Sequence, residues 1–139
     1  MRELAGAEID DLLETQVVGR IGCHAEGLTY VVPVIYARED GDVYVASVEG
    51  QKIRMMRENP RVCFEVDEYH PGRSWRSVIL HGVYEELDGP AARHALDVLA
   101  ARFAGGGPAR RQAQEGRTVC FRIRVHEASG RAYERAATG

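Results

Sequence analysis

A two-residue hydrophobic period, repeatedly stopped and restarted at glycine-containing turns, constrains this chain more than any other feature. Val17, Gly19, Ile21 and Cys23 alternate with Val18, Arg20, Gly22 and His24, and the run ends at Ala25-Glu26-Gly27. Alternation of this kind sends successive side chains to opposite faces of a sheet. Residues 28–38 form a second run rich in β-branched and aromatic residues, closed by Glu39-Asp40-Gly41, and residues 42–46 answer it. Two hairpins so close together predict an antiparallel sheet. Pro33 has no N–H to give to a ladder, so its strand is expected to have an edge or a bulge there.

The period returns further on. Residues 61–69 alternate with Val62, Phe64 and Val66 on one face, His70-Pro71-Gly72-Arg73-Ser74 reads as a loop, and residues 75–87 are the longest strand candidate. Gly82 inside that strand predicts a bulge or bend of the sort that turns a barrel corner. Residues 118–126 supply a sixth strand through Val119, Phe121, Ile123 and Val125, and residues 130–139 are expected to be a tail. Three helices interrupt the strands. Residues 7–15 carry Ile9, Leu12 and Leu13 at helical spacing; residues 51–59 place Ile53 and Met56 inward and stop at Pro60; and Asp88-Gly89-Pro90 opens a third with Ala95, Leu96, Leu99 and Phe103 on its apolar side. Residues 104–117, rich in glycine, arginine and glutamine, read as a mobile loop. The order αβββαββαβ predicts a mainly β fold, a small six-stranded antiparallel barrel with about three flanking helices, in one domain over 1–139.

Composition narrows the function classes. A chain of 139 residues that is 45% hydrophobic and 28% charged has material for one core and no apolar run long enough to span a membrane. The acidic start MRELAGAEIDDLLETQ is unlike a signal peptide, so a cytoplasmic location is expected. A net charge of −3 lacks the basic excess of a nucleic-acid binder. Cys23, Cys63 and Cys120 are odd in number and each lies inside an alternating stretch, so reduced buried thiols are expected. No G-x-S-x-G elbow, H-E-x-x-H pair or glycine-rich dinucleotide motif is present, and the five histidines, His24, His70, His81, His94 and His126, are scattered singly. No metal site and no catalytic acid or base are indicated.

One segment stands apart. Of the 18 basic residues all but one are arginine, and the single lysine, Lys52, lies where a strand ends, a glycine loop follows and a helix begins: Ala46-Ser47-Val48-Glu49-Gly50-Gln51-Lys52. Free N–H groups at a helix start, an ammonium and the Ser47 hydroxyl together form a candidate anion site. The alternative is a solvated lysine in a first helical turn.

The strings Val17-Val18-Gly19-Arg20-Ile21-Gly22, Tyr30-Val31-Val32-Pro33-Val34, Glu49-Gly50-Gln51-Lys52, Glu58-Asn59-Pro60-Arg61-Val62-Cys63-Phe64-Glu65-Val66-Asp67 and Trp75-Arg76-Ser77-Val78-Ile79-Leu80-His81-Gly82 resemble the FMN-binding split-barrel superfamily. Within it they are most similar to pyridoxamine 5′-phosphate oxidase-like proteins of the nitroimidazole-resistance type, over about residues 10–130. The resemblance implies a six-stranded Greek-key barrel, a homodimer, and FMN held in the subunit interface. It implies a phosphate grip at Gly50-Gln51-Lys52, where Gln51 replaces the family's arginine. It also implies a flavin-lining strand over residues 30–35, with Val32, Pro33 and Val34 as the apolar slot for the ring, and it puts the family's arginine-glutamine-valine step, whose glutamine contacts the ring system, on Arg76-Ser77-Val78. Trp75 is a candidate to cover the ring from the partner subunit, with core or dimer packing as the alternative. Arg54, Arg57, Arg20 and Arg76 are the candidates to help Lys52 hold a dianion. Ala46 stands where close relatives often carry a histidine. The arginine and tryptophan that bind the vitamin phosphate in true oxidases have no counterpart, so vitamin B6 synthesis is not implied. The implied activity is electron transfer from a reduced nicotinamide to a small acceptor such as a nitroaromatic. Ala46 leaves open a non-enzymatic module that stores or senses a flavin, a haem or a deazaflavin; a plain structural barrel dimer is a third reading.

Overall fold

A computed structural model describes residues 1–103 and 118–135. Along the chain lie β1 (Arg2–Glu3), α1 (Gly6–Thr15), β2 (Val18–Ala25), β3 (Leu28–Ile35), β4 (Ala37–Glu39), β5 (Asp42–Val48), α2 (Gln51–Glu58), β6 (Arg61–His70), β7 (Ser74–Leu87), α3 (Gly89–Arg102) and β8 (Thr118–Glu134). Every strand pairing is antiparallel, in the order β3-β2-β6-β7-β8-β5-β4, with β1 beside β8. β3 and β4 stand at opposite ends of that order, yet only Tyr36 separates them in the chain. The sheet therefore closes on itself as a barrel.

The expected six walls are present, but the strand count among the described residues is eight. The second wall is broken at Tyr36, and Arg2–Glu3 adds a short strand against Arg131 and Ala132. Tyr36 breaks the wall because it is pulled inward: it is fully buried, its N–H donates to the Val17 carbonyl at 3.2 Å, and its hydroxyl donates to the Leu13 carbonyl at 2.6 Å. Its ring meets Phe64 edge-on at 5.0 Å, and the Arg102 guanidinium lies over it at 5.7 Å. Replacing Tyr36 by Phe should keep the packing and orphan a carbonyl at the end of α1. Urea unfolding is expected to show a loss of about 1–2 kcal/mol; an unchanged midpoint would mean that the hydroxyl bond contributes nothing.

The core is the barrel interior. Ile21, Phe64, Val66, Val78, Leu80, Phe121 and Ile123 line it, and Leu12 and Leu13 of α1 and Ile53 and Met56 of α2 are buried in the same cluster. α3 lies on the outside, with Ala95 and Leu99 against Tyr44, Cys120 and Ala37. Two glycines are fixed by contact. A Cβ at Gly19 would lie 2.1 Å from the Phe64 ring, and one at Gly82 would lie 2.5 Å from the Arg124 carbonyl oxygen. Gly82 sits at a register shift between β7 and β8, which is the expected bulge. Pro33 lies on a strand whose only ladder partner among the described residues is β2, the expected free edge.

The tail expected over 130–139 is corrected in its first part. β8 continues to Glu134, because Gly130, Ala132 and Glu134 pair with Val78, Arg76 and Ser74 of the long β7, while Arg131 and Ala132 also pair with β1. The loop expected over 104–117 and the rest of the tail, 136–139, lie outside the described residues. Among the described residues no helix is long and apolar enough to cross a membrane.

Candidate functional site

β5 delivers its last residues to the start of α2, and this turn is the first candidate location. Period two divides the strand: Val43, Val45 and Ser47 turn into the barrel, whereas Ala46 packs outward beneath α3. Ser47 is buried and its hydroxyl donates to the Val48 carbonyl at 3.2 Å. Gly50 is the N-cap of α2 with no side-chain cap, and the first turn of α2 contains no carboxylate. Its leading N–H groups therefore meet no side-chain acceptor among the described residues. Gln51 is exposed, with its amide 3.9 Å from the Met55 sulfur.

Lys52 is half-buried, and burial alone lowers its ammonium pKa from the ordinary 10.5. Among the described residues no carboxylate pairs with it. The partly buried arginines differ: Arg38 and Arg76 face carboxylates, and Arg102 donates to the carbonyls of Glu14 and Gln16. An uncapped helix start beside a desolvated, uncompensated cation is an environment that an anionic group would complete.

The arginines named as possible helpers are mostly engaged. Arg20 holds Glu65 at 3.1 Å and Asp67 at 2.7 Å. Arg76 holds Asp11 of α1 at 3.0 Å and Glu68 at 3.4 Å, facing the barrel end rather than the outer surface. Arg57 holds Glu49 and Glu86. Arg54 is exposed on α2.

The remaining nominated residues lie elsewhere. In β3, Val34 is buried and Val32 packs on the core, leaving Pro33 on the outside opposite Arg20. In β7, Trp75 stands directly between Tyr69 and Tyr133 in a cross-strand aromatic row, and Ser77 follows on the same outer face opposite Asp67 and Arg131. This row borders a cavity of about 340 Å³ that Arg73 and Arg135 also line. β8 measures the separation: Val48 pairs with its first residue, Thr118, and Trp75 pairs with Tyr133 near its last. Those two points are roughly 50 Å apart along the strand at about 3.3 Å per residue. The structure brings Ser47, Gly50, Gln51 and Lys52 together, and it puts Trp75 at the far end of β8.

Two features escaped sequence reading because register creates them. Val31, Gly22, Cys63 and His81 fall in one row across four strands, and a groove of about 380 Å³ opens there between His24 and His126. Gly22 is the signal that was available, since a Cβ on it would lie 2.7 Å from the Cys63 sulfur. In the adjoining row lies Glu65. Burial first and Asp67 second push its carboxyl up to about 7 from the ordinary 4.5, against the pull of Arg20. A carboxyl raised in this way contributes stability that is complete below about pH 4.5 and disappears as pH rises through about 7. Glu65→Gln should flatten that limb of the stability curve and stabilise the protein at pH 8 by about 1 kcal/mol. An unchanged pH profile in urea unfolding would contradict the assignment.

Residues 6–132 match the profile of the family described as Pyridoxamine 5'-phosphate oxidase. The chain belongs to that family. It is similar to a solved FAD-binding protein from Mesorhizobium loti, at 38% identity and a TM-score of 0.78, covering 96% of this chain and 98% of that one. A putative 5-nitroimidazole antibiotic resistance protein from Bacteroides thetaiotaomicron shares the fold at a TM-score of 0.78 and 22% identity, over 94% of this chain and 86% of that one. An uncharacterized protein of Rhizobium meliloti is 32% identical over 94 residues, which are 68% of this chain and 62% of that protein. The matched part thus spans less than two thirds of that relative. Barrel closure through β3 and β4 and membership of the family agree with the expected mainly β split barrel.

Proposed function

We propose that this protein binds a flavin nucleotide by its phosphate at the start of α2 and, with the flavin bound, passes electrons from a reduced nicotinamide to a small acceptor such as a nitroaromatic. The observation that carries the reading is Lys52, half-buried and, among the described residues, without a carboxylate partner and beside a helix start that no side chain caps. Family membership and the FAD-binding relative from Mesorhizobium loti support a flavin as the bearer of the anion. FMN offers a terminal phosphate and FAD a pyrophosphate, and either suits this corner. The flavin supplies the redox chemistry; the chain's residues bind and orient it. Lys52 and the first N–H groups of α2 hold the phosphate, with Ser47 and Gly50 shaping the turn that presents them.

A homodimer is part of this proposal, supported by where the residues lie. Trp75 and Lys52 stand at opposite ends of β8. That separation supports a flavin shared between copies, with its ring against Trp75 of one and its phosphate on Lys52 of the other. The outer face that a second copy would cover carries exposed Val31, Ile79 and Val83. Sedimentation velocity should give a dimer. A cytoplasmic location suits an enzyme drawing on reduced nicotinamide. Steady-state oxidation of NADH or NADPH by the flavin-loaded protein, with a nitroimidazole as acceptor, tests the activity: turnover supports an oxidoreductase, and binding without turnover would reduce the account to a flavin carrier.

A further inference from the structure

The turn before α2 carries a carboxylate that ought to oppose anion binding. Glu49 directly precedes the N-cap Gly50 and lies three residues from Lys52. A free acid at that position would be drawn to the positive end of the helix and to the ammonium, exactly where a phosphate must go. It does not go there. Glu49 is held by Arg57, from the last turn of α2, through both guanidinium NH groups, one of them at 3.1 Å. The same guanidinium forks to Glu86 near the end of β7, with Nε at 2.7 Å and a terminal N–H at 3.1 Å. The Tyr84 hydroxyl donates to Glu86 at 2.6 Å and steadies the second carboxylate. Arg57 thus binds two carboxylates in fork geometry, which a lysine could not reproduce.

We infer that Arg57 is a positioning residue for the anion site: it holds Glu49 away from Lys52 and the start of α2, so that the site stays open to a phosphate. The inference rests on the flavin-phosphate reading above. Side-chain exposures of 43% for Arg57 and 47% for Glu49 keep the pair in water, so its weight in overall stability is small. Its effect falls on a competition between two anions for one site. Arg57→Gln releases Glu49 as an internal competitor, and Glu49→Gln removes that competitor.

Affinities for FMN and for riboflavin, which lacks the phosphate, separate this role from a structural one. Titrations followed by flavin fluorescence at low salt use the wild type, Arg57→Gln, Glu49→Gln and the double variant. Arg57→Gln should weaken FMN about tenfold and leave riboflavin unchanged, the double variant should recover FMN binding to within about twofold, and Glu49→Gln alone should match or exceed the wild type. An unchanged FMN-to-riboflavin ratio in Arg57→Gln overturns the inference. So does a double variant that fails to recover, or a loss of FMN preference in Glu49→Gln, which needs no disruption of Arg57. If the wild type itself does not prefer FMN to riboflavin, the phosphate site fails first and this inference fails with it.

Discussion

Lys52→Met should weaken FMN binding by about tenfold to a hundredfold and leave riboflavin binding nearly unchanged, because the substitution keeps the aliphatic stem and removes only the charge. The magnitude follows from a charge-assisted hydrogen bond worth roughly 1.5–3 kcal/mol, at about 1.4 kcal/mol per decade of affinity. The same variant carries a second expectation of opposite sign. Burial lowers the Lys52 pKa with no carboxylate among the described residues to offset it, so the unliganded protein holds a cation at a cost. The unliganded Lys52→Met protein should therefore unfold at the same or a higher urea concentration than the wild type. A parallel fall in stability and in affinity for both flavins would mean that Lys52 serves packing and not the phosphate. Ligand linkage adds a check: saturating FMN should raise the wild-type melting temperature far more than that of the variant.

Gly82→Ala should destabilise the fold by about 3 kcal/mol, a large effect for a single added methyl. The new Cβ would stand 2.5 Å from the Arg124 carbonyl oxygen and 2.7 Å from a methyl of Ile123. Both belong to β8, which faces Gly82 across the register shift that follows His81. Neither neighbour can step aside cheaply, since one is backbone in a ladder and the other is a fully buried side chain. The bulge lets the two longest strands turn a corner while remaining paired, so the strain falls on barrel closure. Gly6→Ala is the matched control. Nothing lies within 4 Å of its Cβ position, and alanine favours the first turn of α1. Urea unfolding of the two variants should differ widely; similar midpoints would mean that the bulge is slack.

Much of the architecture was legible in the residues because the alternation is strong and its interruptions are chemically sharp. Gly27 and Gly41 take positive φ in the two early hairpins, and Gly82 marks the bulge. Tyr36 was not legible as a break. Nothing in its local sequence says that its hydroxyl would find the end of α1, a contact 23 residues back in the chain. The full length of β8 was also missed, because Gly130 and the charged residues around it read as a tail until β7 proved long enough to pair with them.

The candidate site was legible in part. Lys52 stood out by composition and by its place in a strand-loop-helix step, and the structure adds that it is half-buried and has no carboxylate partner among the described residues. Val32 and Val34 share a sequence string with Pro33, yet the pleat turns those two into the core and leaves Pro33 outside. The same alternation turns Arg76 toward α1, away from the face that carries Trp75 and Ser77. Which arginines remain available could not be read at all, because the carboxylates that engage Arg20, Arg57 and Arg76 come from other elements of the chain.

Titrating the unliganded protein with FMN while recording its visible absorbance and flavin fluorescence tests the central claim most directly. A saturable, structured flavin band with quenched emission, lost at the same concentrations in Lys52→Met, is the expected result. Free-flavin absorbance and undiminished emission at every concentration, for FMN and FAD alike, would contradict it.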